Sequence, residues 1–181
     1  MRMRMNGGTA ERWNAQALER LVFGATIVLM ASLPSAARAQ DLGIQLGAKA
    51  PAAVVQTLDG KSANLARYTG KTPVIMEFWA TWCPNCHELE PTLLQAARKY
   101  AGKIQFVGVA VSVNETPARV KAFVAKHGLP GDQYFDTEGN ATGAYDVPAT
   151  SYVVVLDRSG KVVYTGLGGT QDLDAAIRKA L

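Results

Sequence analysis

Seven consecutive residues, Val74-Ile75-Met76-Glu77-Phe78-Trp79-Ala80, place one charge among six apolar side chains. A run this short and this apolar reads as a strand covered on both faces, the position of a central strand in an α/β sheet. It runs directly into Thr81-Trp82-Cys83-Pro84-Asn85-Cys86-His87, which contains both cysteines of the chain. A helix follows from Glu88 to Tyr100, with Leu89, Leu93, Ala96, Ala97 and Tyr100 on one stripe. Pro84 suits the first turn of that helix, and Pro91 inside the stripe is expected to kink it. The pair is therefore set at a strand-to-helix junction, one helical turn apart, where two thiols can join and separate with little backbone movement.

The remaining segments extend the same architecture. Ala53–Leu58 and Lys61–Asn64 flank Asp59-Gly60, a tight-turn dipeptide, and predict a hairpin. Residues 104–113 form another apolar strand. Thr116-Pro117 opens a helix whose Val120, Phe123, Val124 and His127 share a face, and Gly128 closes it. Residues 129–147 are irregular, with a short strand near Tyr134 and a helical turn after it. A second hairpin, Tyr152–Asp157 with Lys161–Thr165, precedes a last helix from about Thr170 that carries Asp172 and Asp174 early and Arg178 and Lys179 late. Parallel strands joined by helices, with antiparallel additions, predict a three-layer α/β domain with a mixed sheet, an N-terminal hairpin and an antiparallel C-terminal hairpin.

Residues 1–39 read as a signal peptide. Arg2, Arg4 and Arg12 precede an uncharged, largely apolar stretch from Leu21 to Leu33, and Ala37-Arg38-Ala39 offers a cleavage site before Gln40. Thirteen apolar residues are short of the roughly 20 that a spanning helix needs, which favours cleavage over retention as an N-terminal membrane anchor. The domain then covers residues 40–181, long enough to bury about two thirds of its unfolded surface. Its charge is nearly balanced, because the leader holds five of the 19 basic residues but two of the 15 acidic ones. Nucleic acid is therefore not an expected partner. No nucleotide-binding loop, metal-ligand cluster or basic stripe is present, so neither cofactor nor metal is expected. A disulfide spanning four residues closes too small a loop to stabilise the fold much by constraining the unfolded chain. Redox chemistry is the better reading of the Cys-x-x-Cys spacing.

The run Phe78-Trp79-Ala80-Thr81-Trp82-Cys83-Pro84-Asn85-Cys86, with Pro91 five residues later, resembles the active-site signature of thioredoxin-like proteins. With the N-terminal hairpin, the insert before the last hairpin and the export signal, the chain from Gly47 to Leu181 resembles the TlpA/ResA/CcmG branch of extracytoplasmic thiol-disulfide oxidoreductases. The resemblance implies a periplasmic or otherwise extracytoplasmic protein that reduces disulfides in other exported proteins. It also implies a membrane thiol-disulfide electron donor and a link to cytochrome c maturation. Cys83, at the helix N-terminus where amide groups and the dipole favour a thiolate, would be the nucleophile. Cys86, one turn deeper and less exposed, would resolve the mixed disulfide.

Glu77 resembles the buried acid that assists the resolving thiol in thioredoxins, and burial should raise its pKa. Pro148 resembles the family's cis-proline beside the dithiol. The substrate groove would include Trp82, Pro84, Asn85 and Val147. Two departures accompany the resemblance: many TlpA-like members have Asn at the Glu77 position, and Asp146 stands where a glycine usually precedes the proline by two residues. Two alternatives stay open: an oxidant of the same fold that inserts disulfides, and a haem-binding protein using Cys83-Pro84-Asn85-Cys86-His87 as a Cys-x-x-Cys-His attachment site. The α/β order and the placement of Met76 and His127 weigh against the haem reading.

Overall fold

The computed structural model describes residues 43–181; the leader, its cleavage point and the anchor lie outside the described residues. The described chain contains strands β1 (Val54–Thr57), β2 (Ser62–Asn64), β3 (Val74–Trp79), β4 (Gln105–Val111), β5 (Asp132–Asp136), β6 (Tyr152–Leu156) and β7 (Val162–Leu167), with helices α1 (Pro84–Lys99), α2 (Pro117–His127), α3 (Asn140–Ala144) and α4 (Leu173–Arg178). They build one sheet in the order β2-β1-β5-β4-β3-β6-β7. The centre, β3-β4-β5, is parallel, and every outer pairing is antiparallel. The expected mixed α/β sheet with a hairpin at each end is the observed one.

All six residues of β3 are buried, as its apolar run requires, and they alternate between the two faces of the sheet. Val74, Met76 and Phe78 enter a core with Leu65, Tyr145 and Val154. Ile75 enters the other core, beneath α1 and α4, with Leu89, Leu93 and Ile177. Glu77 therefore points to the α1 face. The two faces meet different needs: one is closed by α3 and the N-terminal segment, the other by the helix that starts at the dithiol.

Local chemistry explains the boundaries. Thr116 caps α2 by accepting the Arg119 amide at 3.3 Å, and Gly128 ends it at φ +65°, a left-handed turn that a β-carbon would strain. Asp172 caps α4 through the Ala175 amide at 2.9 Å. The residues read as irregular before β6 organise around Asp136, which is fully buried at the end of β5. Its carboxylate accepts the Ala141 and Thr142 amides and the Thr142 hydroxyl at 2.8–3.1 Å, fixing the start of α3. Pro91 lies within α1, whose helical assignment continues on both sides of it.

Candidate active site

Cys83 is the N-cap of α1, in extended backbone, and Pro84 occupies the first helical position. The two cysteines are joined as a disulfide across that first turn, with Cα atoms 5.3 Å apart. Cys83 Sγ also accepts the backbone N–H of Cys86 at 3.1 Å, so one of the helix's unpaired amides is aimed at this sulfur. A negative charge on Cys83 would meet that amide and the positive end of α1. The expected difference in exposure is not found: Cys83 is 2% exposed and Cys86 8%. Trp79, Ala80, Ala110 and Val111 pack around both cysteines. The helix terminus, rather than depth, distinguishes the two sulfurs.

Beside Trp82, the residue before Cys83, lies a largely apolar groove of about 660 Å³; Cys83 itself does not line it. Trp82, 44% exposed, forms one wall, with its indole N–H donating to the Val113 carbonyl at 2.8 Å. Val111, Val147, Ala149 and Thr150 contribute further lining, with the start of α3 opposite. Of the four residues expected to form a substrate groove, Trp82 and Val147 line this one. Pro84 and Asn85 are exposed on the first turn of α1 and do not line this groove.

Pro148 requires a correction. No cis peptide bond occurs among the described residues, and Pro148 itself is exposed. The chain between α3 and β6 makes its reversals elsewhere, at Asp146 (φ +48°) and Ser151 (φ +60°). The residue leading directly into β6 is Ser151, fully buried, whose hydroxyl donates to the Gly168 carbonyl at 3.1 Å and whose carbonyl accepts the Gly168 amide and the Gln171 side chain. Continuing the β3–β6 register one step past Phe78↔Tyr152 sets Ser151 opposite Trp79. Sequence reasoning passed over Ser151 because a serine without a proline neighbour carries no turn signature strong enough to mark a left-handed residue.

Glu115 was missed as well. It is buried, and its carboxylate accepts the Thr81 amide at 2.7 Å and also the Thr81 hydroxyl, pinning the segment that delivers Trp82 and Cys83. The available signal was a lone acid just beyond an apolar strand.

On the other side of the dithiol, Glu77 is 6% exposed, and its Oε1 has no protein hydrogen-bond partner. Burial, reinforced by the nearby Glu90 carboxylate, pushes its pKa up from 4.5 to about 8. Across the sheet Glu77 is in register with Gly108, and Gly108 with Gln133. A β-carbon on Gly108 would lie 2.0 Å from Gln133 Oε1, so the missing side chain is what lets Gln133 lie over β4 beside Glu77. Glu77, Cys86 and Glu90 line a common cavity of about 10 Å³, near the lower limit for one water. His87 is exposed, with Nε2 3.0 Å from the Thr81 carbonyl. Among the described residues, no group of three or more His, Cys, Asp or Glu is arranged to hold a metal ion.

A disulfide closed across the first turn of a helix that leaves the central strand of this sheet defines the class: a thioredoxin-like thiol-disulfide oxidoreductase. The chain belongs to the Redoxin family, whose model matches residues 45–180. It is 34% identical over 125 residues to the thiol-disulfide oxidoreductase ResA of Bacillus thuringiensis (strain Al Hakam), covering 69% of this chain and 71% of that one. Over 124 residues it is 31% identical to the thioredoxin-like protein YneN of Bacillus subtilis (strain 168), covering 68% and 72% of the two chains. Among solved structures it is similar to a putative thiol:disulfide interchange protein DsbE from Chlorobium tepidum, at 28% identity and TM-score 0.62, covering 75% of this chain and 95% of that one. The chain is an oxidoreductase of the ResA type.

Proposed function

We propose that the protein is an exported reductant of disulfides in other exported proteins, with Cys83 as nucleophile, Cys86 as resolving thiol and Glu77 as the base that serves Cys86. The observation that carries this reading is the asymmetry around the dithiol: a helix amide donates to Cys83 Sγ, whereas Cys86 shares a cavity with a buried carboxyl. In the reduced enzyme the Cys83 thiolate attacks one sulfur of a substrate disulfide, and the other substrate sulfur leaves as a thiolate that takes a proton from solvent. Cys86 then gives its proton to the Glu77 carboxylate and attacks Cys83 Sγ. The Cys83–Cys86 bond forms, the second substrate thiolate is released, and the substrate has gained two electrons. A membrane thiol-disulfide donor returns the pair to the dithiol.

Export rests on the leader's composition, and the reductive direction on the resemblance to the ResA branch. The reduction potential of the pair tests the direction. A value near the thioredoxin figure of about −270 mV supports the reductant, and one near about −120 mV would make the protein a donor of disulfides.

A further inference from the structure

Behind Glu77 lies a second pair of ionisable groups that the exchange chemistry does not use. Glu90, two turns into α1, and His127, the last residue of α2, face each other across the helix–helix contact. Both Glu90 carboxylate oxygens are 3.0 Å from His127 Nδ1. A carboxylate only accepts, so Nδ1 carries the hydrogen. The imidazole is held flat against Phe123, with ring centroids 3.8 Å apart and planes 11° from parallel, which fixes the direction of that donor. Side-chain exposure is 18% for Glu90 and 25% for His127, so the pair is partly shielded from water. Glu90 then turns inward to the same small cavity that Glu77 and Cys86 line.

We infer that the Glu90–His127 pair is a positioning device that sets the basicity of Glu77, and with it the pH range in which Cys86 can be deprotonated. This rests on the reading of Glu77 as the base for Cys86. A carboxylate facing Glu77 across a water-sized cavity repels the ionised form of Glu77, and a donor fixed on the far side of that carboxylate draws its charge away. The two partners therefore push Glu77 in opposite directions. The surroundings leave few other groups to do this. Beside Glu77, β4 offers Gly108, β5 the neutral Gln133 and β6 Val153. Besides Glu77, the titratable groups of that cavity, all on α1, are Cys86, Glu90 and His87. The His87 ring is 6.2 Å from that of His127, and its Nε2 is turned to the Thr81 carbonyl.

The test is a carbon-13 NMR titration of the Glu77 side-chain carboxyl in the oxidised protein, where neither cysteine titrates. Glu90→Gln keeps the size of the side chain and removes its charge; the Glu77 midpoint should fall by about one pH unit. His127→Phe keeps the ring stack and removes the donor; the midpoint should rise, because two unrelieved carboxylates then share one site. In the double variant the His127→Phe increment should vanish, since no charge remains for it to unmask. Shifts of the same sign in the two single variants, no shift in Glu90→Gln, or a full His127→Phe increment in the double variant would each overturn the inference. A purely structural ion pair has no reason to give opposite signs. Should His127→Phe fail to fold, His127→Leu, which also lacks a donor, supplies the second arm. The pH profile of mixed-disulfide resolution, measured on the same variants, should move with the carboxyl midpoints. Midpoints that move while the resolution profile stays fixed would leave the pair's effect on Glu77 standing and remove Glu77 from its role as base.

Discussion

The two sulfurs of one disulfide back onto regions built on opposite principles. On the Cys83 side are the amide-rich end of α1 and, beside the neighbouring Trp82, an open groove. On the Cys86 side are a small, water-sized cavity and the buried Glu77 carboxyl, held in a low-dielectric setting. The first arrangement favours charge on sulfur and admits a partner. The second disfavours charge on carboxyl, excludes a partner and keeps a proton acceptor ready near neutral pH. What the contrast teaches is that a dithiol spanning four residues can be polarised although its nucleophile is no more exposed than its partner, by the helix amide that meets one sulfur and the carboxyl-lined cavity that meets the other.

The largest effect should come from removing one sulfur at a time. Cys86→Ser should accumulate mixed disulfides with partner proteins, seen as thiol-sensitive adducts on non-reducing gels, while Cys83→Ser forms none and loses exchange activity to background. Equal trapping by both variants would abolish the proposed division of roles. Glu77→Gln probes the inner side alone. Resolution by Cys86 should slow at least tenfold around neutral pH, with the first attack by Cys83 changed less; stopped-flow kinetics separate the two steps.

The same variant makes a stability prediction whose sign is fixed by linkage. The Glu77 carboxyl holds its proton up to about pH 8 in the folded chain but releases it near 4.5 when unfolded. Between those values the folded state binds the extra proton, so wild-type stability falls as pH rises through the window. Glu77→Gln lacks that penalty. Its gain should be small at pH 4, grow to on the order of 5 kcal/mol by pH 9 and then level off, measured by urea unfolding. A gain that does not vary with pH would mean that Glu77 is not desolvated.

On the groove side, Asp136→Ala leaves three donors at the start of α3 without their acceptor and should cost roughly 1–3 kcal/mol. Trp82→Ala should have the smallest effect on folding, within about 1 kcal/mol, because the residue is already 44% exposed. It should still weaken binding of apolar disulfide substrates, read as a raised KM.

How much of this was legible in the sequence follows from the range of the interactions involved. The β3 run, the Cys-x-x-Cys, the caps Thr116 and Gly128 and the buried acid Glu77 are local signals, and each stands where the sequence puts it, whereas the last helix begins at Leu173 rather than near Thr170, with Asp172 as its cap. The order of strands was less accessible. Strand β1 joins the sheet through two residue pairs with β5, Gln56↔Phe135 and Thr57↔Tyr134, which no local pattern encodes. Strand β5, Asp-Gln-Tyr-Phe-Asp, was legible only as a short strand near Tyr134, and the helical turn after it is α3, whose start depends on a carboxylate four residues upstream of its first residue. At the site, Glu115, Gln133 and His127 act through tertiary contacts across 34, 25 and 37 residues respectively: Glu115 with Thr81, Gln133 with Gly108, His127 with Glu90. Pro148 was misassigned because proline is a conspicuous letter, whereas the left-handed turn at the head of β6 belongs to Ser151.

The division between the two sulfurs is tested most directly by titrating each thiol alone, following thiolate absorbance in the ultraviolet for Cys86→Ser and Cys83→Ser. Cys83, at the helix amides, should titrate below the ordinary thiol value of about 8.5, and Cys86, beside the buried Glu77 carboxyl, above it. The reverse order, or two coincident curves, would contradict the assignment of nucleophile and resolving thiol.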